Sequence, residues 1–211
     1  MSRRIVQRVA TALTMLAVVA CTSPPARLYV LNPIATPTLP AARSTRIRTL
    51  AILPVAVPNY LDRPEIVVAR TADHGLTVSD GERWGEGLPA GLARVLTIDL
   101  GTLLAGDGFV VTSGSRQPKV DAELAVTIDA FEQAPDGNAV LAARWMVLDD
   151  RRSGSASHFQ ATYAEFVSAA APEAGVAAEA VAALNHNVDR LATDIARSVR
   201  QLRSDRADPG S

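Results

Sequence analysis

The apolar positions of this chain change their spacing several times, and each change marks a predicted element. Residues 9–20 form a run of small and apolar side chains behind a basic start at Arg3, Arg4 and Arg8. After a polar, proline-containing break, Arg27-Leu28-Tyr29-Val30-Leu31 reads as a strand stopped by Asn32-Pro33. Residues 34–44, with Pro37 and Pro40, read as an extended loop. Residues 47–57 are rich in Ile, Leu, Val and Ala, the composition of a buried strand. A turn at Asn59-Tyr60-Leu61-Asp62-Arg63-Pro64 leads into a second strand over 65–70, and residues 75–78 suggest a short third one.

From residue 83 to 105 the period becomes helical. Trp84, Leu88, Leu92, Leu96, Leu100 and Leu103 recur every three or four residues, with Ser79 or Asp80 as candidate caps and Gly106-Asp107-Gly108 as the stop. Pro89 and three glycines weaken the first turns, so the regular part is expected to begin nearer Pro89. A short strand over 109–112 follows.

Residues 120–131 then alternate: Ala122, Leu124, Val126, Ile128 and Ala130 on a buried face, Asp121, Glu123, Thr127 and Asp129 on the other. Pro135-Asp136-Gly137-Asn138 predicts a hairpin turn. The return strand, 139–148, and a third strand, 157–167, complete an antiparallel meander with Phe159, Tyr163 and Val167 on one face. A final helix is expected from near Pro172, because Ala177, Val181, Leu184, Val188, Leu191, Ile195, Val199 and Leu202 step by three or four. The expected fold class is α/β (α+β): one domain, a mixed β-sheet with a C-terminal antiparallel meander and two main helices packed on it.

Length changes the reading of the first segment. Twelve apolar residues at a rise of 1.5 Å make about 18 Å of helix, short of a hydrocarbon core of about 30 Å. A basic start and an apolar run of that size match a bacterial export signal. The run ends Val18-Val19-Ala20-Cys21, which resembles the lipobox of bacterial lipoproteins. A thiol is needed there to accept diacylglycerol, and a small preceding side chain lets the signal peptidase cut beside it. The expected organisation is a signal peptide over 1–20, a lipid-anchored tether over 21–26, one domain over 27–203 and a polar tail over 204–211, with Cys21 as the lipid attachment. Thr22 in place of Asp after the Cys favours, by resemblance to enterobacterial sorting, the outer membrane.

Composition and charge mainly exclude. The 211 residues suit one domain with a sizeable core. A formal charge of −1, falling to −4 once Arg3, Arg4 and Arg8 are removed, disfavours nucleic acid as a partner and leaves acyl chains as the anchor. One Cys makes neither a disulfide nor a zinc site. His74, His158 and His186 are far apart, in no HxxxH or HExxH pattern. There is no GxSxG nucleophile elbow and no GxxxxGK[ST] phosphate loop. Asp136 and Asp149-Asp150 fall in predicted turns, where Asp serves local hydrogen bonds. Trp84 and Trp145 are read as core or interface anchors. No catalytic residue, cofactor or metal is expected.

Three segments together resemble the ABC-type transport auxiliary lipoproteins, the PqiC/YmbA-like family. They are the lipobox Cys followed closely by Arg27-Leu28-Tyr29-Val30-Leu31; the run Pro54-Val55-Ala56-Val57-Pro58-Asn59-Tyr60-Leu61-Asp62-Arg63-Pro64; and Arg83-Trp84-Gly85-Glu86-Gly87-Leu88, similar to the family's Arg-Trp-Ala-Glu-Pro-Leu. The final Ala-rich helix also looks like the family. The resemblance implies a non-enzymatic, outer-membrane-anchored periplasmic partner that docks the MCE-domain protein of an ABC lipid transport system and supports membrane integrity, with self-association as a further expectation. The density of Pro, Tyr, Trp and Arg around residues 58–70 and 84 independently suggests an interaction surface, with Tyr60, Arg63 and Trp84 as its candidate residues. A rival reading is a lipoprotein that itself holds an acyl chain between helix and sheet.

Overall fold

The computed structural model describes residues 25–34, 47–114, 120–149, 155–167 and 176–204. In chain order the elements are β1 (Arg27–Tyr29), β2 (Arg48–Ile52), β3 (Glu65–Arg70), β4 (Leu76–Trp84), α1 (Leu88–Leu104), β5 (Phe109–Ser113), β6 (Ala122–Gln133), β7 (Asn138–Asp149), β8 (Ser155–Phe166) and α2 (Val176–Ser204). The strands form two sheets where one was expected: a three-stranded sheet ordered β1-β4-β3 and a five-stranded sheet ordered β5-β2-β6-β7-β8. In the larger sheet β2 runs parallel to both β5 and β6, while β6, β7 and β8 are the antiparallel meander. In the smaller one β1 is parallel and β3 antiparallel to β4. The mixed α+β class, the meander and both helices read from the sequence are present.

One core unites these layers. α2 packs on β7, β8 and α1, and α1 packs on β5. Leu92, Val95, Leu96 and Leu100 of α1, Leu124, Ile128 and Leu141 of the sheet, and Val188, Leu191 and Ile195 of α2 are completely buried together. At a rise of 1.5 Å the 29 residues of α2 run about 44 Å, long enough to cross the whole meander. Two polar side chains lock it there: Asn187 donates to the Ala139 carbonyl at 2.9 Å, and Ser198 accepts from the Trp145 indole at 3.3 Å.

Two sequence expectations fail for identifiable reasons. Residues 79–84 are strand, not the start of a helix, and the candidate caps Ser79 and Asp80 lie inside β4; the regular helix begins at Leu88, near Pro89 as expected, with Gly87 as N-cap. Trp84 and Leu88 both reach the core, yet from opposite sides of the strand-to-helix turn, so their spacing of four imitated one helical face. The second failure is in β6. Its register slips between Ile128 and Ala130, a β-bulge that inserts one residue. Inward positions therefore pass from Leu124, Val126 and Ile128 to Phe131, which is 1% exposed, while Ala130 leaves the buried face. Asp129, the inserted residue, turns outward to pair with Arg144 at 2.7 Å.

The hairpin after β6 follows the sequence reading. Gly137 has φ +88°, and Asp136 accepts from the Asn138 amide at 3.0 Å. Cys21, the residues before Pro25 and all but Ile34 of the loop expected over 34–44 lie outside the described residues, as do Pro172 and the tail after Ser204.

Candidate interaction surface

The 58–70 segment is built around one buried carboxylate. Its turn closes when the Leu61 and Asp62 amides bond the Pro58 carbonyl at 2.9 and 3.3 Å. Leu61, 2% exposed, anchors the turn in the core. This places the Tyr60 hydroxyl 3.0 Å from Oε2 of Glu132 on β6, to which it donates. Arg70, at the end of β3, closes on the same group: Nε and Nη2 donate to Glu132 Oε1 at 2.9 and 2.8 Å, and Nη2 also reaches the Tyr60 oxygen at 2.8 Å. The Phe131 amide completes the set at 2.8 Å.

Glu132 is only 3% exposed, and its two oxygens together accept these four contacts, so its charge is buried without being orphaned. Burial first, and the adjacent Glu132 charge second, push the Tyr60 hydroxyl up to about 12. Tyr60 therefore stays protonated and acts as a donor. Sequence reasoning missed Arg70 and Glu132, because a pairing across 62 residues leaves no spacing signal.

The three sequence-selected residues lie near one another at different depths. Arg63 is on the surface, its guanidinium 3.1 Å from Glu65. Tyr60 is half-buried. Trp84 is 8% exposed, its ring tilted against Phe131 at 6.1 Å between centroids, while its amide donates to the Pro64 carbonyl at 2.8 Å. Trp84 thus supports the turn from beneath, and Tyr60 and Arg63 carry the accessible part.

Two further carboxylates join elements. Glu82 of β4, 7% exposed, accepts from the Tyr29 hydroxyl at 3.1 Å and from the Ala177 amide in the first turn of α2 at 3.2 Å, and also bonds Ser79. A negative group there complements the free amides and dipole of the helix start. Asp99 of α1, 1% exposed, holds the Ile34 amide at 2.8 Å through Oδ1, while Oδ2 has no hydrogen-bond partner. Burial, and secondarily Asp189 across the helix pair, raise its carboxyl to about 6.

Among the described residues no three His, Cys, Asp or Glu side chains gather as a metal site. His158 sits on the exposed face of β8, and His186 lies 3.4 Å from Glu165. His74 occupies a tight turn with φ +68°. A cavity of about 480 Å³ beside α2 is lined by His186, Asp189, Arg190, Asp194 and Arg197, among others.

These elements define a two-sheet α+β domain held by buried carboxylate clasps. Two solved structures are similar to it in fold: an uncharacterized protein (22% identity, TM-score 0.64, covering 83% of this chain and 99% of that one) and protein XCC0632 from Xanthomonas campestris (16% identity, TM-score 0.65, covering 84% and 99%). At these identities the likeness is one of fold. No curated protein matches the sequence significantly. The family model of the ABC-type transport auxiliary lipoprotein component matches residues 29–196, and the chain belongs to that family.

Proposed function

We propose that this chain is a non-enzymatic periplasmic lipoprotein, held by acyl groups on Cys21 to the outer membrane, that docks the MCE-domain protein of an ABC-type lipid transport system. The observation that carries the reading is the position of the family domain. It starts at residue 29, directly behind the lipobox Val18-Val19-Ala20-Cys21. The residues between the Cys and β1 span no more than about 20 Å even when extended, so an anchored domain works at the membrane surface. Tyr60 and Arg63, set on a rigid turn over the Glu132 clasp, are the side chains we assign to partner contact.

The test is site-specific photo-crosslinking in cells, with a photoreactive residue replacing Arg63 or, as a control, Gln160 on the opposite sheet. The expected result is an adduct with an MCE-domain protein from position 63 and none from 160. Equal labelling from both positions, or no adduct from 63 in a membrane-localised protein, overturns the docking assignment.

A further inference from the structure

The outward face of β1 carries an apolar patch that the core does not use. Leu28 is 68% exposed and Val30 47%. The two are contiguous: an added Cβ on Gly85 would stand 3.0 Å from Val30 Cγ1 and 4.0 Å from Leu28 Cβ, so both side chains lie over one exposed glycine. Single exposed apolar side chains are ordinary on protein surfaces, whereas adjacent ones on a single strand face form a patch. Tyr29, between them, points the opposite way and bonds Glu82.

One arginine borders the patch directly. Leu28 is the register partner of Arg83 on β4, and Arg83 in turn faces Glu65 on β3. Arg63 pairs with Glu65 at 3.1 Å. Across this sheet two guanidinium groups therefore flank one carboxylate, with two aliphatic side chains at the β1 edge. Aliphatic tips beside an arginine suit the boundary of an anionic bilayer, where the alkyl groups enter the acyl region and the guanidinium meets phosphates.

We infer that Leu28 and Val30 insert into the same membrane that holds Cys21, with Arg83 at the headgroups, so that the β1 edge of the three-stranded sheet faces the membrane and Arg63, beside the far edge strand β3, stays free for the partner. The inference rests on the acylated-Cys21 reading above and adds an orientation to it. Its occupant follows from chain length. Leu28 is seven residues from Cys21, and seven extended residues reach at most about 25 Å. A surface confined that close to a bilayer meets lipid at an effective concentration that no free partner matches. The open face of the five-stranded sheet, bearing His158 and Gln160, belongs to the other sheet and supplies the control position.

The experiment uses the full acylated chain purified from bacterial membranes and reconstituted in phosphatidylethanolamine–phosphatidylglycerol vesicles. With Cys21 acylated, Leu28→Cys supplies a single free thiol for an environment-sensitive fluorophore; Val30→Cys is the second probe and His158→Cys the distant control. The expected result is blue-shifted emission at positions 28 and 30 with at least two-fold quenching by lipids brominated on their acyl chains. Position 158 should stay water-like and unquenched. If the protein floats with the vesicles but positions 28 and 30 escape quenching, the orientation is overturned; emission shielded without lipid quenching would assign the patch to a second copy or a protein partner. If the protein fails to float at all, the anchor reading itself fails and takes this inference with it.

Discussion

Arg70 and Glu132, 62 residues apart, meet through two hydrogen bonds of 2.9 and 2.8 Å to a single carboxylate oxygen. The carboxylate is buried and the guanidinium half-exposed, so the pair works as a clasp closed from outside. Removing the buried partner strands Arg70, Tyr60 and the Phe131 amide together, whereas removing the Tyr60 hydroxyl deletes its bonds to Glu132 and Arg70 but leaves the Arg70–Glu132 pair closed. Glu132→Ala is expected to cost about 2–4 kcal/mol and Tyr60→Phe about 1 kcal/mol. Urea unfolding checks the order, and a double-mutant cycle between positions 60 and 132 should give a coupling of the same sign.

Asp99 sets an unusual pH dependence. Its carboxyl titrates at about 6 in the folded chain against about 3.8 in a flexible peptide. The folded state therefore holds the proton more tightly, so this group's contribution to stability is greatest below about pH 4 and is lost as pH rises through about 6. Asp189 is shifted in the same direction by burial and adds to the effect. Asp99→Asn keeps an acceptor for the Ile34 amide and removes the charge. It is expected to stabilise the domain by about 1–2 kcal/mol at pH 7.5, after allowance for solvent screening, with little change at about pH 3, below both pKa values. Thermal melts of both chains across that range test the sign.

Trp84 belongs to the interior, packed on Phe131. Truncating it removes a large buried ring, so Trp84→Ala should cost about 3–5 kcal/mol, a large share of an ordinary domain's stability. Arg63→Ala, on the surface, should change the denaturation midpoint little while weakening partner contact. Equal effects on stability from the two substitutions would contradict the depths assigned to them.

Glu82 connects β4 to the first turn of α2. Glu82→Ala removes the acceptor of the Ala177 amide and an acceptor for the Tyr29 hydroxyl. The expected cost is about 1–2 kcal/mol, with faster amide hydrogen exchange confined first to the start of α2.

Much of this architecture was legible because its elements obey one period throughout. α2 keeps its apolar residues at steps of three and four from Ala177 to Leu202, and β7 and β8 alternate without interruption. Reading failed where two structures share one pattern. The stripe from Trp84 to Leu88 fits a helix as well as it fits a strand turning into one, and only pairing with β1 and β3 decides between them. The bulge at Asp129 was likewise hidden, because a single inserted residue moves Ala130 outward and Phe131 inward while the local sequence still alternates.

The candidate surface was legible in part. Tyr60 and Arg63 stood out through the proline-bounded turn that carries them. Arg70 and Glu132 did not, since a long-range clasp is made by the fold and leaves no local trace. The depth of Trp84 was equally unreadable, because an aromatic ring serves cores and interfaces alike.

Function turns first on the attachment of the chain to its membrane. The direct measurement is the mass of the N-terminal peptide of the protein recovered from outer-membrane fractions. The expected peptide begins at Cys21 and carries a diacylglyceryl group on its sulfur with a further acyl chain on its amino group. An unmodified Cys21 in protein recovered from the soluble periplasm would contradict it.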